Sequence, residues 1–193
     1  LAPLLFIASM GAERAAAAAV ATKLATLFYR VPQGCFGASL VFYSFTLDRF
    51  VRRPGRARRV RFQRLALYSA TPTAVFALAF LVFGQPLAHV FGEAVDPTRI
   101  AGLLTAYLVF VPAYFAEQFL AELLAAHRQD MVMVWPSTVA TFALALPLAY
   151  VAAVHMDSAF LAIASRGVAA IPLAGYYWLR LKPFLADPSQ APA

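Results

Sequence analysis

The side chains best able to do chemistry in this chain are polar groups set inside long apolar runs. Lys23, Thr26, Arg30, Gln33, Gly37 and Ser44 fall within an arc of roughly 80° when residues are turned about 100° apart around a helix. Leu24, Leu27, Phe28, Val31, Phe36 and Phe42 occupy the other faces, so the run carries a polar stripe, and Pro32 can rotate its two halves. A cation facing lipid at membrane depth costs between about 2.5 and more than 10 kcal/mol, so Arg30 is expected to line a cavity, together with Gln33 and Thr26. Lys23 lies only about 9–12 Å from one end and can snorkel, which weakens its claim to the same path. A second group is Glu117, Gln118 and Glu122, of which Gln118 and Glu122 share a helix face. A carboxyl group in low dielectric holds its proton more tightly, which suits Glu117 to a coupling proton or sodium ion. The competing reading is an ion pair with Arg30, Arg166 or Arg128, and for Glu122 that reading is the stronger one. Arg166 is a third deep cation, and the sequence does not identify its partner.

Other chemistries lack a foothold. His89, His127 and His155 are scattered at the ends of apolar runs, and Cys35 is the single cysteine, so neither a zinc site, an internal disulfide nor a nucleophilic triad is suggested. No glycine-rich phosphate loop occurs. The expectation is a non-enzymatic protein without a cofactor, apart from a coupling ion.

The elements that must position these groups follow from composition. The chain has 193 residues, 62% hydrophobic and 13% charged, with a mean hydropathy of +0.71. A soluble domain is roughly half apolar and a quarter charged, so a water-soluble protein is excluded in favour of a multispanning membrane protein. A transmembrane helix needs about 20 mostly apolar residues, and five stretches qualify: 15–47, 65–91, 100–126, 131–154 and 158–179. Stretches apolar on every side, such as 74–83 and 138–153, speak for helices and against barrel strands. Residues 1–10 are apolar but reach only about 15 Å as a helix, and read as the end of a truncated first helix. Each of the five spans contains proline, which predicts bent or locally unwound helices.

Charge gives the orientation. The net charge of +7 and pI near 10.0 would suggest nucleic acid in a soluble protein, but here the basic residues sit between apolar spans and nucleic acid is not expected. Eight arginines lie in 48–64, and Arg128, Arg180 and Lys182 bring one side to eleven. The opposite connections, 11–14, 92–99 and 155–157, hold only Arg14 and Arg99 beside Glu13, Glu93, Asp96 and Asp157. The positive-inside rule then places 48–64, 127–130 and the carboxyl end in the cytoplasm of a cell-membrane protein. The arginine cluster could also bind anionic headgroups, though topology alone accounts for it. Residues 181–193 are expected to form a disordered tail.

In layout the chain resembles half of a multidrug and toxic compound extrusion (MATE) transporter, within a group that includes lipid-linked oligosaccharide flippases. The resemblance rests on Gly11 to Arg14 followed by the alanine-rich 15–21, and on a long second helix with Pro32, Gly34 and Gly37. It continues through the basic loop, the outer turn at Asp96 and Pro97, Tyr107 on the fourth helix, and the tight turn at 125–130 before Pro136. It covers residues 1 to about 180 and implies an all-α six-helix lobe, the carboxyl-terminal one, paired with a second lobe preceding it in the same polypeptide around a central cavity. It implies a secondary active transporter exporting a small organic substrate against a proton or sodium gradient. Arg30 and Lys23 favour an anionic or zwitterionic substrate over the cations such exporters mostly move. A lipid-linked saccharide flippase and a non-transporting membrane scaffold are the alternatives.

Overall fold

Long runs of Ala, Leu, Phe and Val without a period of two leave the helix as the one conformation that satisfies every backbone group in lipid. The computed structural model describes residues 2–26, 34, 55–91, 95–127 and 130–185, and these are all-helical apart from short connections. Helix α1 is Ala2–Ala8; α2 starts at residue 12 and is described to 26; α3 is Gly55–Phe91; α4 is Pro97–Val109; α5 is Val111–Ala126. The next helix, α6, runs without a break through Met131–His155, and α7 is Ala159–Leu185. Arg30, Gln33, Cys35, Gly37 and Ser44, as well as Arg128, lie outside the described residues.

Among the described residues three helices are long and apolar enough to cross a membrane, or four if the bent pair α4–α5 is one span, consistent with a membrane protein. Their outer faces carry exposed apolar side chains such as Leu78, Val82, Phe142, Ile171 and Leu179. In water such a surface would drive association; in a bilayer it is the lipid contact.

Three of the expected boundaries need correction, and a fourth helix is locally widened. Helix α3 begins at Gly55, so residues 55–64 are helical where a loop was expected; arginine is a good helix former, and no breaker stands between Gly55 and Leu65. The 100–126 stretch is two helices bent by 47° at Phe110, because Pro112 has no N–H to give the Leu108 carbonyl and its ring pushes on that turn. Helix α7 continues to Leu185, so 181–185 belong to it and not to a tail; residues 186–193 lie outside the described residues. Helix α6 is straight-through but wide in two places, Ala140–Ala145 and Val151–His155. In the first, the Leu146 N–H reaches back five residues to the Thr141 carbonyl, directly before Pro147, whose ring crowds the preceding turn. The proline-derived expectation of perturbed helices is met at Pro112 and Pro147, whereas α3 continues through Pro72 and Pro86 and α7 through Pro172.

Two apolar clusters hold the bundle. One packs Ala17, Ala18, Ala21 and Leu24 of α2 against Ile100, Leu103 and Leu104 of α4 and Ala162 and Ile163 of α7. The alanines let the backbones approach closely, which is how helices associate where lipid supplies no hydrophobic drive. The second packs Phe119, Leu120, Leu123 and Leu124 of α5 against Leu173, Tyr177, Leu181 and Leu185 of α7. The elbow at Phe110 and the α7 residues Arg166 and Gly167 lie between the two. Phe110 rests directly on Gly167, whose missing side chain makes the room: a Cβ there would fall inside contact distance of Phe110 Cβ, Cγ and Cδ1.

The end of the bundle near the first cluster is tied by ions. Arg14 pairs with Asp157, and Arg99 pairs with Glu13 at 2.8 Å and Asp96 at 3.6 Å. Segments 11–14, 95–99 and 155–157 thus share one end, the grouping read from the charge count. Asp96 also caps α4, accepting from the Thr98 N–H at 2.9 Å and hydroxyl at 2.6 Å. The Thr98 hydroxyl and N–H hold the Asp96 carboxyl below its ordinary range, and the bond to Asp157 holds the Arg14 guanidinium above its own.

Candidate functional site

The Pro112 elbow does more than bend a helix. It opens the angle between α4 and α5, and a cavity of about 280 Å³ lies beside it, walled by α2, α3, α4, α5 and α7. Its polar groups are Thr26, Thr73, Tyr107, Tyr114, Glu117, Gln118 and Arg166; Phe76 and Phe80 supply the aromatic wall on α3. That mixture, a mostly apolar surface with a few convergent polar groups, is the usual form of a small-molecule site.

The charge in the cavity is one ion pair. Arg166 Nη2 donates to Glu117 Oε1 at 2.6 Å, a charge-assisted contact between α7 and α5. The Glu117 side chain is only 12% exposed and that of Arg166 37%. Arg166 Nη1 is buried and has no hydrogen-bond acceptor among the described residues. Arg166 lies seven residues into α7, about 10 Å from the ion-paired end, a depth at which each charge needs the other. Gln118 sits beside the pair and donates to Glu122 at 3.3 Å, which ties those two residues along the face of α5. Across the cavity Tyr107 shares a 2.9 Å hydrogen bond with Thr22, linking α4 to α2.

The sequence-derived candidates divide. Glu117, Gln118 and Arg166 meet in one cavity, and Arg166 proves to be the partner of Glu117. Thr26 joins them from α2, its hydroxyl bonded to the Thr22 carbonyl at 2.7 Å. Lys23 is exposed and is not part of the cavity wall. Glu122 is half-buried and receives Gln118 in place of an arginine among the described residues. Arg30 and Gln33, the residues first assigned to the path, lie outside the described residues.

Sequence reasoning passed over Thr73, Tyr114 and the Thr22–Tyr107 bond. A signal for Thr73 existed: Ser69 and Thr73 stand one turn apart in the mostly apolar part of α3, and both are buried, so that face of α3 meets protein. Tyr114 gives no such signal, since it enters the site only because the elbow turns α5.

No protein-family model, no curated protein and no solved structure matches the chain.

Proposed function

We propose that this chain is one lobe of a MATE-like secondary active exporter of the cell membrane, with the α2–α3–α4–α5–α7 cavity on its substrate path and a second lobe completing it. The observation that carries the reading is the Arg166–Glu117 pair in the wall of a cavity among membrane-length helices. A pair at that depth is costly to bury and gives little net stability, so a role beyond stability accounts for it better.

Its chemistry suits a zwitterion with an aromatic or apolar body. Arg166 takes the carboxylate, Glu117 takes the ammonium, and Phe76, Phe80, Tyr107 and Tyr114 pack the rest. Glu117 then has a double use. A substrate ammonium and a coupling proton or sodium ion compete for one carboxylate, and that mutual exclusion is what exchange of substrate for ion requires. The positive-inside rule orients the α3 amino end and the α7 carboxyl end toward the cytoplasm.

The test is transport by the full-length polypeptide in proteoliposomes under imposed proton and sodium gradients, comparing zwitterionic, anionic and cationic aromatic compounds. Gradient-driven zwitterion movement that is lost in Glu117→Gln while the variant still folds supports the reading. Movement unaffected by Glu117→Gln, or no gradient-driven movement of any class, removes it.

A further inference from the structure

The two ends of the bundle treat their cations differently. At one, Arg14 and Arg99 are both paired with carboxylates. At the other, Arg59, Arg61 and Arg64 of α3 form no ion pair with any described residue. Arg180 of α7 leans on Tyr176, its Nε 3.0 Å from the hydroxyl and its guanidinium 5.3 Å from the ring centre. The Phe62 ring packs on Trp178 at 5.6 Å, which sets the arginine turns of α3 level with Arg180 and Lys182.

Length fixes where these turns sit. Helix α3 has 37 residues, about 55 Å, well beyond the roughly 30 Å of hydrocarbon in a bilayer. Its apolar membrane-length segment runs from Arg59 to Gly84, so the arginines stand at the polar margin, where aromatic residues such as Trp178 and Tyr68 also belong.

The face matters as much as the depth. Arg64, Tyr68, Thr71, Val75, Leu78 and Val82 follow one another at spacings of four, three, four, three and four, a single stripe down the helix. All six are exposed and turned away from the face that buries Ser69, Thr73 and Phe80. Arg61 lies one turn further out, half-buried.

We propose that this stripe is an acidic-lipid site: Arg61 and Arg64 hold the phosphodiester of an anionic bilayer lipid, Tyr68 flanks the headgroup, and Thr71, Val75, Leu78 and Val82 carry an acyl chain. Arginines without a carboxylate partner among the described residues supply the charge complement, and the apolar continuation directly above them selects a lipid over a soluble polyanion, which would find no use for it. The site is separate from the cavity and does not depend on the transport reading.

Native mass spectrometry of the full-length polypeptide in mild detergent, with equimolar phosphatidylglycerol and phosphatidylcholine, tests it. The wild type should retain phosphatidylglycerol preferentially, and each of Arg61→Gln and Arg64→Gln should reduce that preference about fivefold. Arg99→Gln, at the opposite end of the bundle, should leave it unchanged. Equal retention of the two lipids by the wild type would overturn the proposal, as would full preference in the double arginine variant. Displacement of the lipid by glycerol phosphate or by an oligonucleotide at comparable concentration would also overturn it, assigning the arginines to a soluble anion.

Discussion

Gly167→Ala should destabilise the bundle although it adds one methyl group. The Cβ would enter the space of Phe110 Cβ, Cγ and Cδ1. One of those atoms cannot swing clear by a rotamer change: Phe110 Cβ is fixed by the backbone, whatever χ1 does with Cγ and the ring. The elbow must therefore retreat from α7 by on the order of 1 Å to recover normal carbon contacts. Overpacking of this kind costs about 1–3 kcal/mol. For a chain of this size each kcal/mol lowers the melting temperature by about 2–4 °C, so a fall of about 2–12 °C is expected in detergent or nanodiscs. Phe110→Ala alone also loses packing, but combined with Gly167→Ala it should restore part of the loss, giving a coupling of about 0.5–3 kcal/mol in a double-mutant cycle. Unchanged melting of Gly167→Ala, or strict additivity of the two changes, would refute the elbow contact.

Three further outcomes follow from the same packing and charges. Glu117→Gln leaves Arg166 without its counter-charge; with Arg166 more than a third exposed the loss should be about 1–3 kcal/mol, less than for a fully buried pair, and Arg166→Gln in the same chain should recover part of it. Additive melting shifts in that cycle would sink the pairing. His127 stacks on Phe184 at 4.5 Å, and burial pushes its imidazole below the ordinary value. The unfolded chain then binds the proton more tightly, so stability should be level above about pH 6.5 and decline as pH falls through the His127 titration, a slope that His127→Phe should flatten. The exposed pairs at the other end are screened by salt, so Arg99→Ala should leave melting nearly unchanged in 0.5 M NaCl; a large loss there would mean those ions are structural.

Much of this was legible in the residues. The apolar runs mark α3, α6 and α7, and the sparse basic residues of 11–14, 92–99 and 155–157 foretell the common end seen for the described parts of those segments, because helix length and charge asymmetry are read along the chain. Glu117 and Arg166 stood out for the same reason, as charges in apolar surroundings. What the sequence did not reveal depends on packing between residues far apart along the chain: that Arg166 answers Glu117, 49 residues away, and that Gly167 receives Phe110. Pro112 announced a break, but the direction of the 47° bend, which carries Tyr114 into the cavity, is set by the partners of α5. The helical start of α3 is hidden in the sequence because a run of arginines reads as loop charge, although arginine is also a good helix former.

Cysteine accessibility tests most directly whether the cavity, with its few convergent polar groups, is reachable from water inside the membrane-length bundle. With Cys35 replaced by alanine, single cysteines at Thr73 and Gln118 on the cavity and at Leu78 on the lipid stripe would be challenged in sealed vesicles with a membrane-impermeant thiol reagent. Labelling at Thr73 and Gln118 but not at Leu78 is the predicted result. Protection of all three from both sides of the membrane would contradict the account.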